Sequence, residues 1–469
     1  MRVHVKRSHL AIAGSAIAAA VSSGPAWAQA GAEAPPAEAA PPAEPAPPAE
    51  PEPAPPAEAA PPAEPAPAPP AEPASAPPAE AAPPAGEDDL SDIEEALAAD
   101  AAEAAEEREP ITPRGAPAAS PSLNPDISLV MDVAAAYLSD EDDLQTGSHD
   151  PSESGFTLQA IEMSIGSSVD PYVRFDSHLA FGQFGVELEE AYATTLALPW
   201  NLQARAGQFL TRIGRHNPTH LHRWSFVDQP MALGRLFGGE GNRGLGAEVS
   251  YLAPLPWYVE IIASLTDAAG EGSARSFFGA EDLPVTSPLD LQATLVVEQF
   301  LALHPNWSLL VGLSGATGPN ATGHDNRTDI YGADVYLKYR PITSAGYTEV
   351  ELAAEYFYRR RQVPRDLLRD HNAFGQVVWR LARRWRVGGR YEWGGPARAR
   401  RGRVEVDPLD PQWTDHRHRV SAAVTFNPSE FSRLRLQGSL DIPTWRDDPI
   451  TAVMLAFEIA VGAHGAHAF

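Results

Sequence analysis

Several side chains that could do chemistry fall close together in the middle of this chain. They are His216, His220, His222, Ser225 and Asp228. The i, i+4, i+6 spacing of the three histidines does not match a regular zinc motif, and the chain has no cysteine that could complete one. A serine triad is unpersuasive because these residues are so close in sequence and no nucleophile motif surrounds them. The sequence therefore predicts no enzyme, no cofactor and no metal site.

Charged side chains recur at every second position through much of the chain. Within residues 431–442, Arg433 and Arg435 share one parity, whereas Leu434 and Leu436 share the other. Successive side chains of a β-strand point to opposite faces, so each such run predicts a strand with one apolar and one charged face.

Three features distinguish a membrane barrel from a soluble sandwich. The runs are roughly 10 to 14 residues long, whereas soluble strands average about five or six. Aromatic residues such as Trp257, Trp307 and Trp385 lie near strand ends, as in interfacial girdles. Tight turns alternate with longer polar connections. The sequence therefore predicts an all-β fold, a transmembrane antiparallel up-and-down β-barrel of about 16 strands.

The predicted strands can be placed along the chain. They lie near residues 126–139, 155–169, 172–183, 185–198, 201–212, 243–253, 257–266, 290–303, 307–317, 327–340, 347–360, 372–382, 385–394, 413–427, 431–442 and 449–463. The second strand fits badly, because Gln159 and Ile161 share one parity while Leu158 and Glu162 share the other. A β-bulge there would restore the alternation.

Parity also assigns charged residues to the inside of the barrel. The candidate pore-lining residues are Arg174, Arg205, Arg380, Arg386, Arg390, Arg419, Arg433, Arg435, Glu248, Asp334 and Glu351. Rings of arginine suit an anion pore, whereas opposed acidic and basic faces suit a general pore with a transverse field. The same charges could instead pair with cross-strand neighbours and stiffen the wall.

The third outer connection, residues 213–242, is the longest, and loops of this length are usually functional. Its apolar residues, Phe226, Val227 and Met231 among them, need a surface to pack against. We therefore expect the loop to fold inward and narrow the pore instead of lying on the outer surface. The candidate constriction residues are Arg215, His216, His220, His222, Arg223, Asp228 and Arg235.

The N-terminal part of the chain has a different character. A basic start, a short apolar run and the cleavage site Ala26-Trp27-Ala28 predict a secretory signal peptide. Proline removes backbone donors, so the Pro/Ala/Glu-rich segment that follows predicts an extended, disordered linker. The predicted divisions are a signal peptide at 1–28, the linker at 29–87, a short acidic helix at 88–110 and the barrel at 120–469.

The overall charge excludes one class of partner. The chain has 62 Asp and Glu against 35 Lys and Arg, a formal net charge of -27. Affinity for nucleic acid rests on cationic contacts to phosphate, so nucleic acid is not expected as a partner.

Three segments give the chain a family resemblance. Ala204–Phe209 reads ARAGQF, the loop carries Asp228-Gln229-Pro230, and Gly244–Val249 reads GLGAEV. Together with the closing aromatic Phe469, they resemble the phosphate-selective porin family and its relatives over roughly residues 120–469. Some barrels of this appearance are labelled TonB-dependent receptors. However, no N-terminal plug domain is found, and about 350 barrel residues are too few for 22 strands.

The resemblance and the alternation together predict an outer-membrane porin. Small hydrophilic solutes, with anions among the candidates, would diffuse passively through it. The expected location is the bacterial outer membrane, with the N-terminal tail in the periplasm and lipid around the barrel. A homotrimer and contact of the tail with the cell wall are further expectations. The alternative is a receptor, or a structural anchor tethered through its acidic Pro-rich tail.

Overall fold

The computed structural model describes residues 125–140, 147–183, 185–267, 275–278, 285–323, 325–341 and 347–462. The predicted signal peptide, linker and acidic helix, and Phe469, lie outside these residues. Among the described residues, no helix is long and apolar enough to cross a membrane.

The described chain is almost entirely β-structure. Its strands are β1 Asp126–Leu138, β2 Gly155–Ser168, β3 Val173–Phe181, β4 Val186–Thr195, β5 Leu202–Leu210, β6 Arg243–Leu252, β7 Tyr258–Thr266, β8 Gln292–His304, β9 Trp307–Pro319, β10 Arg327–Tyr339, β11 Glu349–Val363, β12 Asp366–Ala382, β13 Trp385–Gly394, β14 Arg398–Ala399, β15 Arg417–Ser429, β16 Ser432–Pro443 and β17 Ile450–Gly462. One α-helix, α1 (Met231–Phe237), and two short 3-10 helices, Leu221–Arg223 and Pro288–Asp290, complete the described elements.

The strands form a closed antiparallel barrel. Each wall strand pairs with its neighbour in sequence, and β17 pairs with β1, so that Ser128 lies opposite Gly462. The two-residue β14 is an extra pairing on β12 and lies outside the ring of 16. The predicted barrel of about 16 strands is confirmed. The first strand, β1, begins and the last strand, β17, ends at the rim that carries the short turns.

The outward face of the wall is apolar. On β16, Leu436 is 51% exposed, whereas Arg435 and Gln437 on either side of it are fully buried. Aromatic residues mark both rims: Trp307 of β9 packs on Tyr339 of β10 at 4.7 Å, and toward the other end of β10, Tyr331 stacks on Tyr358 of β11. An apolar band between two aromatic girdles is the exterior of a transmembrane barrel.

The expected bulge in β2 is present. Asp132 pairs with Ala160 and Val133 pairs with Leu158, so Gln159 has no partner on β1. The extra residue turns the Gln159 side chain into the barrel interior, where it contacts the third outer loop.

The connection between β11 and β12 is a correction to the predicted strands. We expected a loop over residues 361–371, but both strands continue and meet at a turn of Pro364 and Arg365, where Arg365 has φ of 72°. Two charges that looked like a loop are buried and paired: Asp370 Oδ2 accepts from Arg359 Nε at 2.9 Å, and Arg361 pairs with Asp407. Charge inside a barrel is compatible with strand, provided that it is paired.

A charged substitution tests the lipid-facing side. Leu436→Arg, near the middle of β16, is expected to destabilise the barrel by about 2–4 kcal/mol, because a guanidinium would enter hydrocarbon. Ile442→Arg, outward at the end of the same strand, should cost only about 0–1 kcal/mol. Denaturant unfolding in lipid vesicles measures both. Equal, negligible effects would contradict a lipid-facing surface.

Candidate functional site

The third outer loop lies inside the barrel. It leaves β5, passes through the 3-10 turn and α1, and returns to β6. Its apolar side chains pack on inward residues of the arc from β12 to β1: Val227 on Ala134 and Met454, and Phe226 on Val378 and Ala423. Every residue of α1 is buried. An amphipathic loop can bury this surface only by crossing the interior.

Arginines of the wall satisfy the backbone of the loop. Arg433 donates to the carbonyls of Trp224 (3.0 Å) and His222 (2.7 Å), and Arg435 donates to those of Trp224 (3.1 Å) and Phe226 (3.0 Å). A buried carbonyl without a hydrogen-bond partner costs free energy. These four hydrogen bonds therefore allow an irregular segment to lie inside the barrel.

Two glutamines provide hydrogen-bond partners for the backbone of Val227. Its amide donates to Gln437 Oε1 at 2.7 Å, and its carbonyl accepts from Gln159 Nε2 at 3.1 Å. The bulge in β2 is therefore the feature that positions one of the two partners.

Asp228 is the principal ionic attachment of the loop. It is 1% exposed and pairs with Arg390, with Arg419 at 3.1 Å, and with Gln437 Nε2 at 2.8 Å. Burial alone would raise the pKa of Asp228, but the guanidinium groups of Arg390 and Arg419 outweigh it and lower that pKa. The aspartate is thus ionised and fixed at neutral pH.

The helix end of the loop is held by a second set of polar contacts. The amide of Met231 donates to Glu392 Oε2 at 2.5 Å, and Arg235 donates to Asn372 Oδ1 at 3.0 Å. The Arg235 guanidinium also lies 3.8 Å from the ring centre of Trp413. This contact joins the third outer loop to the connection between β13 and β15.

The three loop histidines do not converge on one point. The His216 ring lies between Trp224 and Phe374, at centroid distances of 5.2 and 5.8 Å. Burial and the nearby cations of Arg390 and Arg215 lower the pKa of His216 to about 3, so it is neutral. His220 and His222 instead face carboxylates of β2 and β4.

A group of imidazoles and carboxylates lies at that position. Glu162 accepts from His222 Nδ1 at 2.9 Å and lies 3.1 Å from His178 Nδ1, while His220 Nε2 lies 2.8 Å from Glu190 Oε2. Spacing along the sequence did not identify this group as a site, because its members come from separate segments: His149, His178, Glu162, Glu189, Glu190 and Glu240. Only the inward parity of Glu162 and Glu190 on their strands could have indicated them.

The side of the loop facing β5–β11 is more open. Arg212 pairs with Glu248 at 3.3 Å and Glu260 at 3.1 Å while remaining partly exposed, and Arg215 lies 3.7 Å from the ring centre of Tyr336. Arg215 also interacts electrostatically with Asp334, which lies on β10 two residues before Tyr336.

The remaining predicted residues are distributed around this interior. Arg174 pairs with Asp176 at 2.8 Å, Arg205 with Glu248 at 2.9 Å, and Glu351 with Lys338 at 3.2 Å. Arg380 is buried, Arg386 is half-buried and Arg223 is exposed. His222 and Asp228 have the separate partners given above, so Ser225, His222 and Asp228 do not form a triad.

The fold and the inward third loop define a porin-like transmembrane β-barrel. A protein of Aquifex aeolicus (strain VF5), described only as uncharacterized, is 30% identical over 387 residues, which cover 74% of this chain and 80% of that protein. The chain belongs to the same family as this Aquifex protein. No family model matches the chain, so membership of the phosphate-selective family stays a prediction.

Solved structures with a similar fold include outer-membrane proteins. OmpT of Vibrio cholerae in its trimer form has a TM-score of 0.46 at 9% identity, covering 72% of this chain and 99% of that chain. An anion-selective porin from Comamonas acidovorans has a TM-score of 0.45 at 11% identity, covering 72% of this chain and 99% of that chain. Likeness at this level does not extend to function.

Removing the loop carboxylate tests how firmly the loop is attached. Asp228→Ala leaves Arg390 and Arg419 buried without it, which should cost about 3–5 kcal/mol or release the loop. Arg223→Ala, on the exposed part of the same loop, should change stability by no more than about 0.5 kcal/mol. Denaturant unfolding and limited proteolysis of the loop measure both. A D228A barrel with native stability and a protected loop would contradict this attachment.

The attachment should also respond to acid. Since the pKa of Asp228 is lowered below the value of about 3.9 for an unfolded aspartate, its stabilisation is present above about pH 4. It is lost as the pH falls through the lowered pKa. Stability measured against pH should show this acid transition, and the Asp228→Asn variant should lack it. Identical acid profiles would show that other groups control it.

Proposed function

We propose that the protein is an outer-membrane porin through which small hydrophilic solutes diffuse passively, with the third outer loop as its constriction. One observation carries the proposal: wall arginines fix the loop inside the barrel on one side. On its other side, partly exposed charged side chains face one another across the open part of the interior. Interior loops that narrow a lined passage are a general means of limiting solute size in pores.

The location follows from the exterior and the connectivity. The apolar band requires lipid, and bacterial barrels place their short turns at the periplasmic side. Strand β1 begins with Asp126 at the short-turn rim, so the N-terminal tail would lie in the periplasm. A homotrimer and anchoring of the tail to the cell wall are compatible with this arrangement and stay predictions.

Ion selectivity is proposed to come from only part of the inward charge. Arg390, Arg419, Arg433 and Arg435 are buried in ion pairs and in bonds to the loop, so a passing ion would meet little of their charge. Arg212 and Arg215, opposed to Glu260, Glu298 and Asp334, would instead set the field across the open side. Preference for anions therefore depends on the two loop arginines.

Planar-bilayer recording tests the proposal. The purified native barrel should give ohmic conductance. Arg215→Glu should shift the reversal potential toward cations by at least about five-fold in permeability ratio, since even a single charge near the ion path is worth about 1 kcal/mol in water and this substitution changes the charge by two units. Arg365→Glu, at the tip of the β11–β12 turn, is the matched control and should leave the ratio unchanged.

One outcome would contradict the porin proposal, and another would favour the structural anchor. A barrel that never conducts would mean that the loop seals the interior. Deletion of residues 31–110 that leaves conductance intact but weakens the cell envelope would show that the tail carries the more important role.

A further inference from the structure

Three ligand-type atoms from distant segments meet at the outer end of the barrel. His149 comes from the first outer loop, Glu189 from β4 and Glu240 from the end of the third outer loop. His149 Nε2 lies 3.5 Å from Glu189 Oε1 and 3.5 Å from Glu240 Oε2. This group takes no part in the attachment of the third loop to the wall through Asp228.

The hydrogen bonding of His149 determines which nitrogen faces the carboxylates. Its Nδ1 lies 2.8 Å from the backbone carbonyl of Gln159, which can only accept, so the hydrogen is on Nδ1. Its Nε2 is buried without a hydrogen-bond partner. An imidazole whose Nδ1–H is held by a carbonyl, while its Nε2 faces two carboxylates, has the orientation of a metal ligand.

The distances favour an ion over direct hydrogen bonds. A charge-assisted N–H···O⁻ bond is about 2.7–2.9 Å long, shorter than both separations here. Ligand atoms about 2.0–2.1 Å from a tetrahedral metal are separated by roughly 3.4 Å from one another. The spacing of 3.5 Å therefore leaves room for a small cation between the three side chains.

The surroundings provide support and access. The other oxygen of Glu189 lies 3.1 Å from His220 Nδ1, which fixes that carboxylate. Arg243 Nη1 lies 3.7 Å from Glu240 Oε2 and also pairs with Glu187, so its charge is shared. A cavity of about 40 Å³ adjoins the group on one side, and a wider opening of about 690 Å³ on the other side is also lined by His149 and Glu240.

We propose that His149, Glu189 and Glu240 bind a divalent first-row transition-metal cation, of which Zn²⁺ is the model. Imidazole and carboxylate ligands suit such ions, and the adjoining cavity would hold a water as the fourth ligand. The ion would join the first and third outer loops to β4. This inference is independent of conductance.

The adjacent group around Glu162 is the nearest alternative. There the carboxylate oxygens lie 3.1 Å from His178 Nδ1 and 2.9 Å from His222 Nδ1, which are hydrogen-bond distances. Those carboxylate oxygens have hydrogen-bond partners without an ion, whereas His149 Nε2 has only the two ion pairs at 3.5 Å.

Metal binding to the untagged mature chain in detergent tests the proposal. After removal of metal with a chelator, equilibrium dialysis should show one Zn²⁺ per chain, and Co²⁺ should give the visible absorption of a tetrahedral site. His149→Ala should weaken binding at least ~100-fold, since loss of a mere supporting contact already costs about 10–100-fold. Zn²⁺ should also raise the thermal midpoint of the native chain and not of this variant.

Controls separate this site from other histidines. His304→Ala, in a turn at the opposite rim, and the double variant His464→Ala/His467→Ala should bind as the native chain does. If H149A fails to fold, as judged by β-sheet circular dichroism, Glu240→Gln preserves side-chain size and should show the same loss. Native-like binding by either site variant, or loss in His178→Ala alone, would overturn the assignment.

Discussion

The structure depends on one constraint: an irregular loop can lie inside a membrane barrel only if the wall supplies partners for its backbone. Arg433 and Arg435 provide these partners at three alternate carbonyls of the loop, those of His222, Trp224 and Phe226. Each of these arginines is itself buried and needs a carboxylate, which Glu458 and Asp132 supply. Loop, arginine and carboxylate therefore stabilise one another, and removing any member leaves a buried charge or carbonyl unsatisfied.

The same arrangement fixes the register of the wall. On β16 the arginines alternate with leucines, so a shift by one residue would place guanidinium groups in lipid and leucines against the loop. An apolar inner face would leave the loop carbonyls without donors, and it would also make both faces of the strand apolar and the register ambiguous. The charged inner face thus contributes specificity to the fold as well as contacts to the loop.

Much of the fold could be predicted because alternation is a local signal. Strand positions, their number and the bulge at Gln159 all follow from parity within short windows of sequence. The continuation of β11 and β12 through residues 361–371 could not, because Arg361 and Asp370 look like a polar loop until their partners are known. The His149 group was missed for the same reason: its members are neighbours only once the barrel closes.

Parity also has a limit that bears on function. It assigns Arg390 and Arg419 to the interior, but it does not distinguish an arginine held against a loop from one facing water. That distinction arises from the loop, which covers the arginines of β13–β16 and leaves Arg212 partly exposed beside Glu248 and Glu260. A row of inward arginines in a barrel sequence is therefore weak evidence of an anion path, because the same residues serve equally well to anchor a loop. The charges that a solute meets are those that the loop leaves uncovered.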